Sequence, residues 1–164
     1  MVYVSGIDFE SITDGDGVRI VVFVSGCLHK CEGCHNPLAH NFKYGKPFDE
    51  NMQEGVIRHC ETTPYISGIT LSGGDPMYSA DELIPFLKKF REKCPDKDVW
   101  CYTGFLYEEL EQNESMANLA SLCDVIVDGP FVQEKRSFNT PYMGSTNQRI
   151  IRLTSNGELE RERI

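Results

Sequence analysis

A nearly continuous apolar run from Val18 to Val24, rich in β-branched residues, leads directly into Cys27-Leu28-His29-Lys30-Cys31-Glu32-Gly33-Cys34. This junction restricts the chain more than any other feature. An unbroken apolar run of that length reads as a strand covered on both faces, as in a parallel sheet. Three cysteines at C-x3-C-x2-C spacing then wrap the following loop around a single centre.

Thiolates are soft ligands that suit zinc and iron–sulfur clusters, and the number of sulfurs separates the two. A structural zinc site fills four positions, usually by pairing one C-x2-C knuckle with a second. No second knuckle exists here, since Cys60, Cys94, Cys101 and Cys123 stand singly. Three thiolates on a [4Fe–4S] cubane leave one iron without a protein ligand, open to a substrate. A zinc site completed by His29, His35 or Cys60, belonging to a binding module without catalysis, is the rival from another class; three unliganded thiols are a second. The isolated cysteines read as small core residues, Cys101 within a strand and Cys60 on an apolar helix face.

Further short runs follow the first: Ile69 to Leu71, Val99 to Tyr102, Asp124 to Val127 and Arg149 to Leu153. Helical patterns lie between them. Met52, Val56, Ile57 and Cys60 share one face behind Asp49 as N-cap, and Leu83, Leu87 and Phe90 share another. Ser79 with Glu82 predicts a capping box, with Pro85 near the end of the first turn. A third helical stretch, Leu106 to Leu122, breaks at Asn113. Strands alternating with helices predict an α/β fold with a mainly parallel sheet. At 164 residues the chain is too short for a closed eight-stranded barrel of about 250, so a partial, open βα barrel is expected, with active residues at the C-terminal strand ends. Its open side would need a cover, which a macromolecular partner can supply. No repeat or composition shift marks a boundary, so residues 1–164 are expected to form one domain, with Glu158 to Ile164 frayed.

Seven cysteines, an odd number with three of them crowded together, suit a reducing compartment better than a disulfide framework. Met1 to Asp8 lacks the basic flank and apolar run of a signal peptide, and no span of about twenty apolar residues offers a membrane helix. A cytoplasmic protein is expected. The net charge of -9 opposes attraction to nucleic acid or to an anionic membrane.

C-x3-C-x2-C behind a strand resembles the radical S-adenosylmethionine superfamily. Asp14-Gly15-Asp16-Gly17-Val18-Arg19, Phe23 and Gly26 before the first cysteine, and His35-Asn36-Pro37 after the third, resemble the glycyl-radical-enzyme activases within it. Thr70-Leu71-Ser72-Gly73-Gly74-Asp75-Pro76, Tyr102-Thr103-Gly104, Asp128-Gly129-Pro130-Phe131 and Gly144-Ser145-Thr146-Asn147-Gln148-Arg149 are similar to the subgroup acting on anaerobic ribonucleoside-triphosphate reductase. The likeness spans roughly residues 6 to 153. Two positions depart from the wider superfamily: Gly33 stands where an aromatic often precedes the third cysteine, and Gly-Gly-Asp-Pro replaces the commoner Gly-Gly-Glu-Pro.

The resemblance implies one [4Fe–4S] cluster on Cys27, Cys31 and Cys34, and S-adenosylmethionine chelating the open iron through its amino and carboxylate groups. Reductive cleavage would give a 5′-deoxyadenosyl radical that takes hydrogen from a glycine of the reductase, with reduced flavodoxin or ferredoxin as electron donor. It further implies ligand contacts from Gly33, His35, Ser72, Gly73, Gly74, Asp75, Tyr102 and Asp128, the Gly73–Asp75 segment holding the methionine amino group. Asp128 has a turn or cap role as its alternative, and Tyr102 one in aromatic packing. No Ser/His/Asp or Cys/His triad is assigned, and His40 and His59 read as ordinary polar residues. Asn147, Gln148 and Arg149 have partner contact, cofactor contact and a structural network open to them. Arg19 is expected to pair with Asp14 or Asp16. Activation of another glycyl radical enzyme, or a small enzyme of the 7-carboxy-7-deazaguanine synthase type, is the alternative within the superfamily.

Overall fold

The computed structural model describes residues 1–29, 37–137, 142–153 and 159–162. The strands are β1 (Tyr3–Ser11), β2 (Val18–Val24), β3 (Lys46–Pro47), β4 (Ile66–Gly73), β5 (Asp98–Tyr102), β6 (Val125–Asp128), β7 (Arg149–Leu153) and β8 (Leu159–Glu162). The helices are α1 (Glu50–Thr62), α2 (Ala80–Lys93), α3 (Tyr107–Leu110) and α4 (Glu114–Ser121). One sheet holds all eight strands in the order β3-β1-β2-β4-β5-β6-β7-β8. Its four central strands, β2, β4, β5 and β6, run parallel. Antiparallel pairs flank them on both sides. The fold is thus α/β around a parallel centre, and the sheet is open, since β3 and β8 end it without pairing to each other.

The pleat sends alternate residues to opposite faces. Ile20, Val22, Val24, Ile69, Leu71, Val99, Cys101 and Ile126 form the main core with Val56 and Ile57 of α1, Leu83, Phe86, Leu87 and Phe90 of α2, and Leu119 of α4. The other face carries a smaller cluster of Trp100, Val125, Val127, Met143 and Ile150. Both faces of β2 are buried because helices cover one and loops the other, which is why it reads as an unbroken apolar run.

Asp49 caps α1 by accepting from the Met52 N–H at 2.9 Å, and Asn113 caps α4 by accepting from the Met116 N–H at 3.0 Å. The expected Ser79–Glu82 box is not formed. A 3-10 turn, Pro76–Ser79, runs straight into α2, Ser79 makes no side-chain cap, and Glu82 pairs with the Met1 amino group at 3.0 Å. The terminal segment expected to fray contains β8, paired antiparallel to β7. Arg19 does not use the carboxylates of Asp14 or Asp16. Its fully buried guanidinium donates to Thr70 Oγ1 (2.8 Å), to the carbonyls of Asp16 (2.9 Å) and Ile69 (2.8 Å) and to Asp98 Oδ1 (2.6 Å), and it lies 5.4 Å from the Trp100 ring centre. Such multiple pairing is what makes a buried charge tolerable.

Candidate functional site

The parallel strands end side by side, Val24 beside Gly73 and Tyr102 beside Val127, and a cavity of about 480 Å³ opens at those ends. Its wall includes Cys27, His29, Ser72, Gly73, Gly74 and Tyr102. Such a volume falls within the range of small-molecule sites, about 300–1,000 Å³. Cys31, Gly33, Cys34 and His35 lie outside the described residues.

The turn leading to Cys27 is tied to the end of β4. The Gly74 N–H donates to the Val24 carbonyl at 2.7 Å and the Asp75 N–H to the Gly26 carbonyl at 2.8 Å. Gly73 has φ +102°, and a Cβ there would lie 2.5 Å from the Val24 carbonyl oxygen. Only glycine permits this approach. With the Gly74 N–H engaged, what the segment can offer a ligand is carbonyl oxygen, which suits an ammonium group. The Cys27 N–H donates to the His40 carbonyl at 3.3 Å.

Asp75 is fully buried and stands behind the wall rather than in it. Its Oδ1 accepts from the Met77 N–H at 3.0 Å; its Oδ2 accepts from His29 Nε2 (2.7 Å), Thr103 Oγ1 (3.0 Å) and the Gly104 N–H (2.9 Å). Asp128, also fully buried, accepts from the Tyr107 N–H at 2.7 Å, starting α3, and from Arg149 Nε at 3.0 Å. This is the cap role, and Asp128 does not line the cavity. Arg149 also pairs with Glu108 at 2.7 Å. The bonds to Asp128 and then to Glu108 hold its guanidinium further above its ordinary value.

Tyr102 faces the cavity, and burial, reinforced by Asp14, pushes its phenol well above the ordinary range, so it acts as a neutral hydroxyl. Gln148 lines the opposite wall; its amide donates to the Gly129 carbonyl at 2.9 Å and accepts from the Gly144 N–H at 2.8 Å. Asn147 donates to the Pro130 carbonyl at 2.9 Å. These two residues therefore join the loop after β6 to the approach to β7. His59 packs edge-on against Phe9, whereas His40 borders the cavity.

Sequence reasoning weighed His29 only as a zinc ligand and passed over Phe23 and Phe131 as wall residues. Phe23 alternates with core residues in β2, a signal that was legible; Phe131 comes from a loop whose path no local pattern sets. As for the fourth zinc ligand once weighed, Cys60 is fully buried in the main core, where burial pushes its thiol up to about 12. His29 has its Nε2 on Asp75.

Residues 13–151 match the family described as a 4Fe-4S single cluster domain. The anaerobic ribonucleoside-triphosphate reductase-activating protein of Pasteurella multocida is 39% identical over 146 residues, covering 87% of this chain and 92% of that protein. The chain belongs to the anaerobic ribonucleoside-triphosphate reductase-activating proteins. Members from Vibrio cholerae and Escherichia coli are each 36% identical, over 146 and 145 residues respectively, and each comparison covers 87% of this chain and 93% of the relative. Cys27 and the Gly73–Gly74 segment share the wall of the cavity. No helix among the described residues is long and apolar enough to cross a membrane.

Proposed function

We propose that this chain generates the glycyl radical of anaerobic ribonucleoside-triphosphate reductase, using a [4Fe–4S] cluster held by Cys27, Cys31 and Cys34. The observation that carries the reading is the shared wall: Cys27 and the ligand-accessible Gly73–Gly74 backbone border one cavity at the C-terminal ends of the parallel strands. The donor set fits the group, since soft thiolates at C-x3-C-x2-C spacing suit an iron–sulfur cluster. When bound, the reduced cluster supplies one electron to cleave S-adenosylmethionine to a 5′-deoxyadenosyl radical.

The residues of the chain bind, orient and shield. The Ser72–Gly74 carbonyls accept from the methionine amino group. Phe23, Tyr102 and Phe131 give the cavity aromatic surface for the adenosyl part, and the family resemblance adds Gly33 and His35 as ligand contacts. Asp75 and Asp128 support the wall without touching the ligand. Enclosure matters because the protein's share of radical chemistry is orientation and exclusion of competing reactions. Residues 1–164 act as one cytoplasmic domain of partial-barrel type, its open side covered by the reductase, with reduced flavodoxin or ferredoxin as electron donor.

Anaerobic reconstitution tests the reading. About four irons and four sulfides per chain, 5′-deoxyadenosine released under reducing conditions, and a glycyl radical on the reductase by electron paramagnetic resonance are expected. Stoichiometric zinc in place of iron, or 5′-deoxyadenosine without a glycyl radical, would overturn it.

A further inference from the structure

His29 sits between the first two cysteines in the sequence, and its ring lines the cavity on one side and packs against neighbours on the others. Nε2 lies 2.7 Å from Asp75 Oδ2. The Phe105 ring meets it edge-on at 4.6 Å and the Tyr78 ring lies at 5.2 Å. Its fourth neighbour is Gly104, where an added Cβ would come 2.6 Å from His29 Cδ2 and 2.8 Å from Nε2. The backbone at Gly104 lies outside the left-handed region, so what demands a glycine there is the imidazole. The carboxylate that receives His29 also receives Thr103 and Gly104 at the end of β5 and Met77 after β4.

We propose that His29 is a latch that fastens the cluster loop to the ends of β4 and β5 through Asp75, and that Asp75 and Gly104 are the positioning residues that receive it. The latch rests on the cluster reading above and adds to it a metal-independent anchor. A carboxylate can only accept, so Nε2 carries the hydrogen. The bond is charge-assisted and reaches a fully buried carboxylate, which strengthens it. Holding His29 fixes the chain two residues from Cys27, which lines the same cavity, so the Cys27 thiolate is held in place and the cluster is slower to leave.

The test measures iron release from the anaerobically reconstituted chain to an excess of chelator, followed by loss of the cluster's visible absorption. His29→Ala leaves Asp75 with its Met77, Thr103 and Gly104 donors, so the fold survives. It should speed release about tenfold or more, the scale of one charge-assisted hydrogen bond. Gly104→Ala, which pushes the ring off Asp75, should do the same. In the His29→Ala background the methyl at position 104 meets no ring, so the double variant should release iron no faster than His29→Ala alone. His29→Gln keeps an amide donor where Nε2 lay and should recover most of the wild-type rate, while His29→Leu should not.

Wild-type release rates in either single variant, or a double variant whose effect is the product of the two, overturn the latch. Should Gly104→Ala melt early as the cluster-free chain, the Gln and Leu comparison decides alone. Failure of the wild-type chain to hold iron defeats the cluster reading instead, so the two failures are distinct.

Discussion

The Cβ that Gly73 lacks would stand 2.5 Å from the carbonyl oxygen of Val24 and 2.6 Å from its nitrogen. Two parallel strands therefore converge at the point where one turns toward Cys27 and the other enters the cavity wall.

Gly73→Ala is expected to cost about 1–3 kcal/mol from backbone strain, plus the displacement of β2 from β4. The urea midpoint of the cluster-free chain and the affinity of the reconstituted chain for S-adenosylmethionine should both fall. Gly6→Ala in β1, where an added Cβ meets nothing within 4 Å, serves as the comparison and should stay within about 0.5 kcal/mol of wild type.

Asp128→Asn separates support from ligand contact. Breaking its buried pair with Arg149 should destabilise the chain by about 3 kcal/mol, softened because Glu108 still engages the guanidinium. The KM for S-adenosylmethionine should not move. A large KM increase at unchanged stability would instead place Asp128 at the ligand.

The cysteines divide into two groups. Replacing Cys27, Cys31 or Cys34 by Ala should abolish iron retention and cleavage, because two thiolates hold a cluster poorly. Cys123→Ala should retain iron. Its thiol is buried in the core, where it donates to the Leu119 carbonyl at 3.4 Å, and the change should appear only as a modest loss of stability, about 1 kcal/mol.

Alkaline pH should weaken the cluster-free fold. Burial raises Cys60 from its ordinary 9.0 to about 12, and burial raises Cys94 and Tyr102 in the same direction. For an acid whose folded pKa is the higher, the unfolded chain loses its proton first, so stability falls as pH rises above about 9. Below that value the Cys60 contribution is flat. Urea midpoints measured from pH 8 to 11, roughly the span of this linkage, should show the decline, and Cys60→Ala should make it shallower, leaving the part due to Cys94 and Tyr102.

The cluster motif, the central strands and the main helices were legible from the chain alone. β2, β4, β5 and β6 are short apolar runs because both of their faces are covered, and burial on two faces leaves a signal in every residue. α1 and α2 show one apolar face each, Asp49 announced the start of α1, and the break read at Asn113 falls where that residue caps α4. Ser79 and Glu82 misled because a capping box is a local pattern, whereas the 3-10 turn after Asp75 and the amino group at Met1 are set from elsewhere. β1, β3 and β8 were missed since edge and half-exposed strands need only part of their residues to be apolar.

What the sequence determined by itself was the family-bearing pattern: three cysteines at C-x3-C-x2-C spacing after a buried strand, and glycines where a second strand ends. Tertiary structure alone decided what the neighbouring polar residues do. Asp75 and Asp128 have the same look in the sequence, an acid at a strand end, and each is turned inward by donors from segments distant in the chain: His29 and Thr103 for one, Tyr107 and Arg149 for the other. A carboxylate's role follows from the donors that desolvation forces upon it, and those are brought together only when the sheet is assembled.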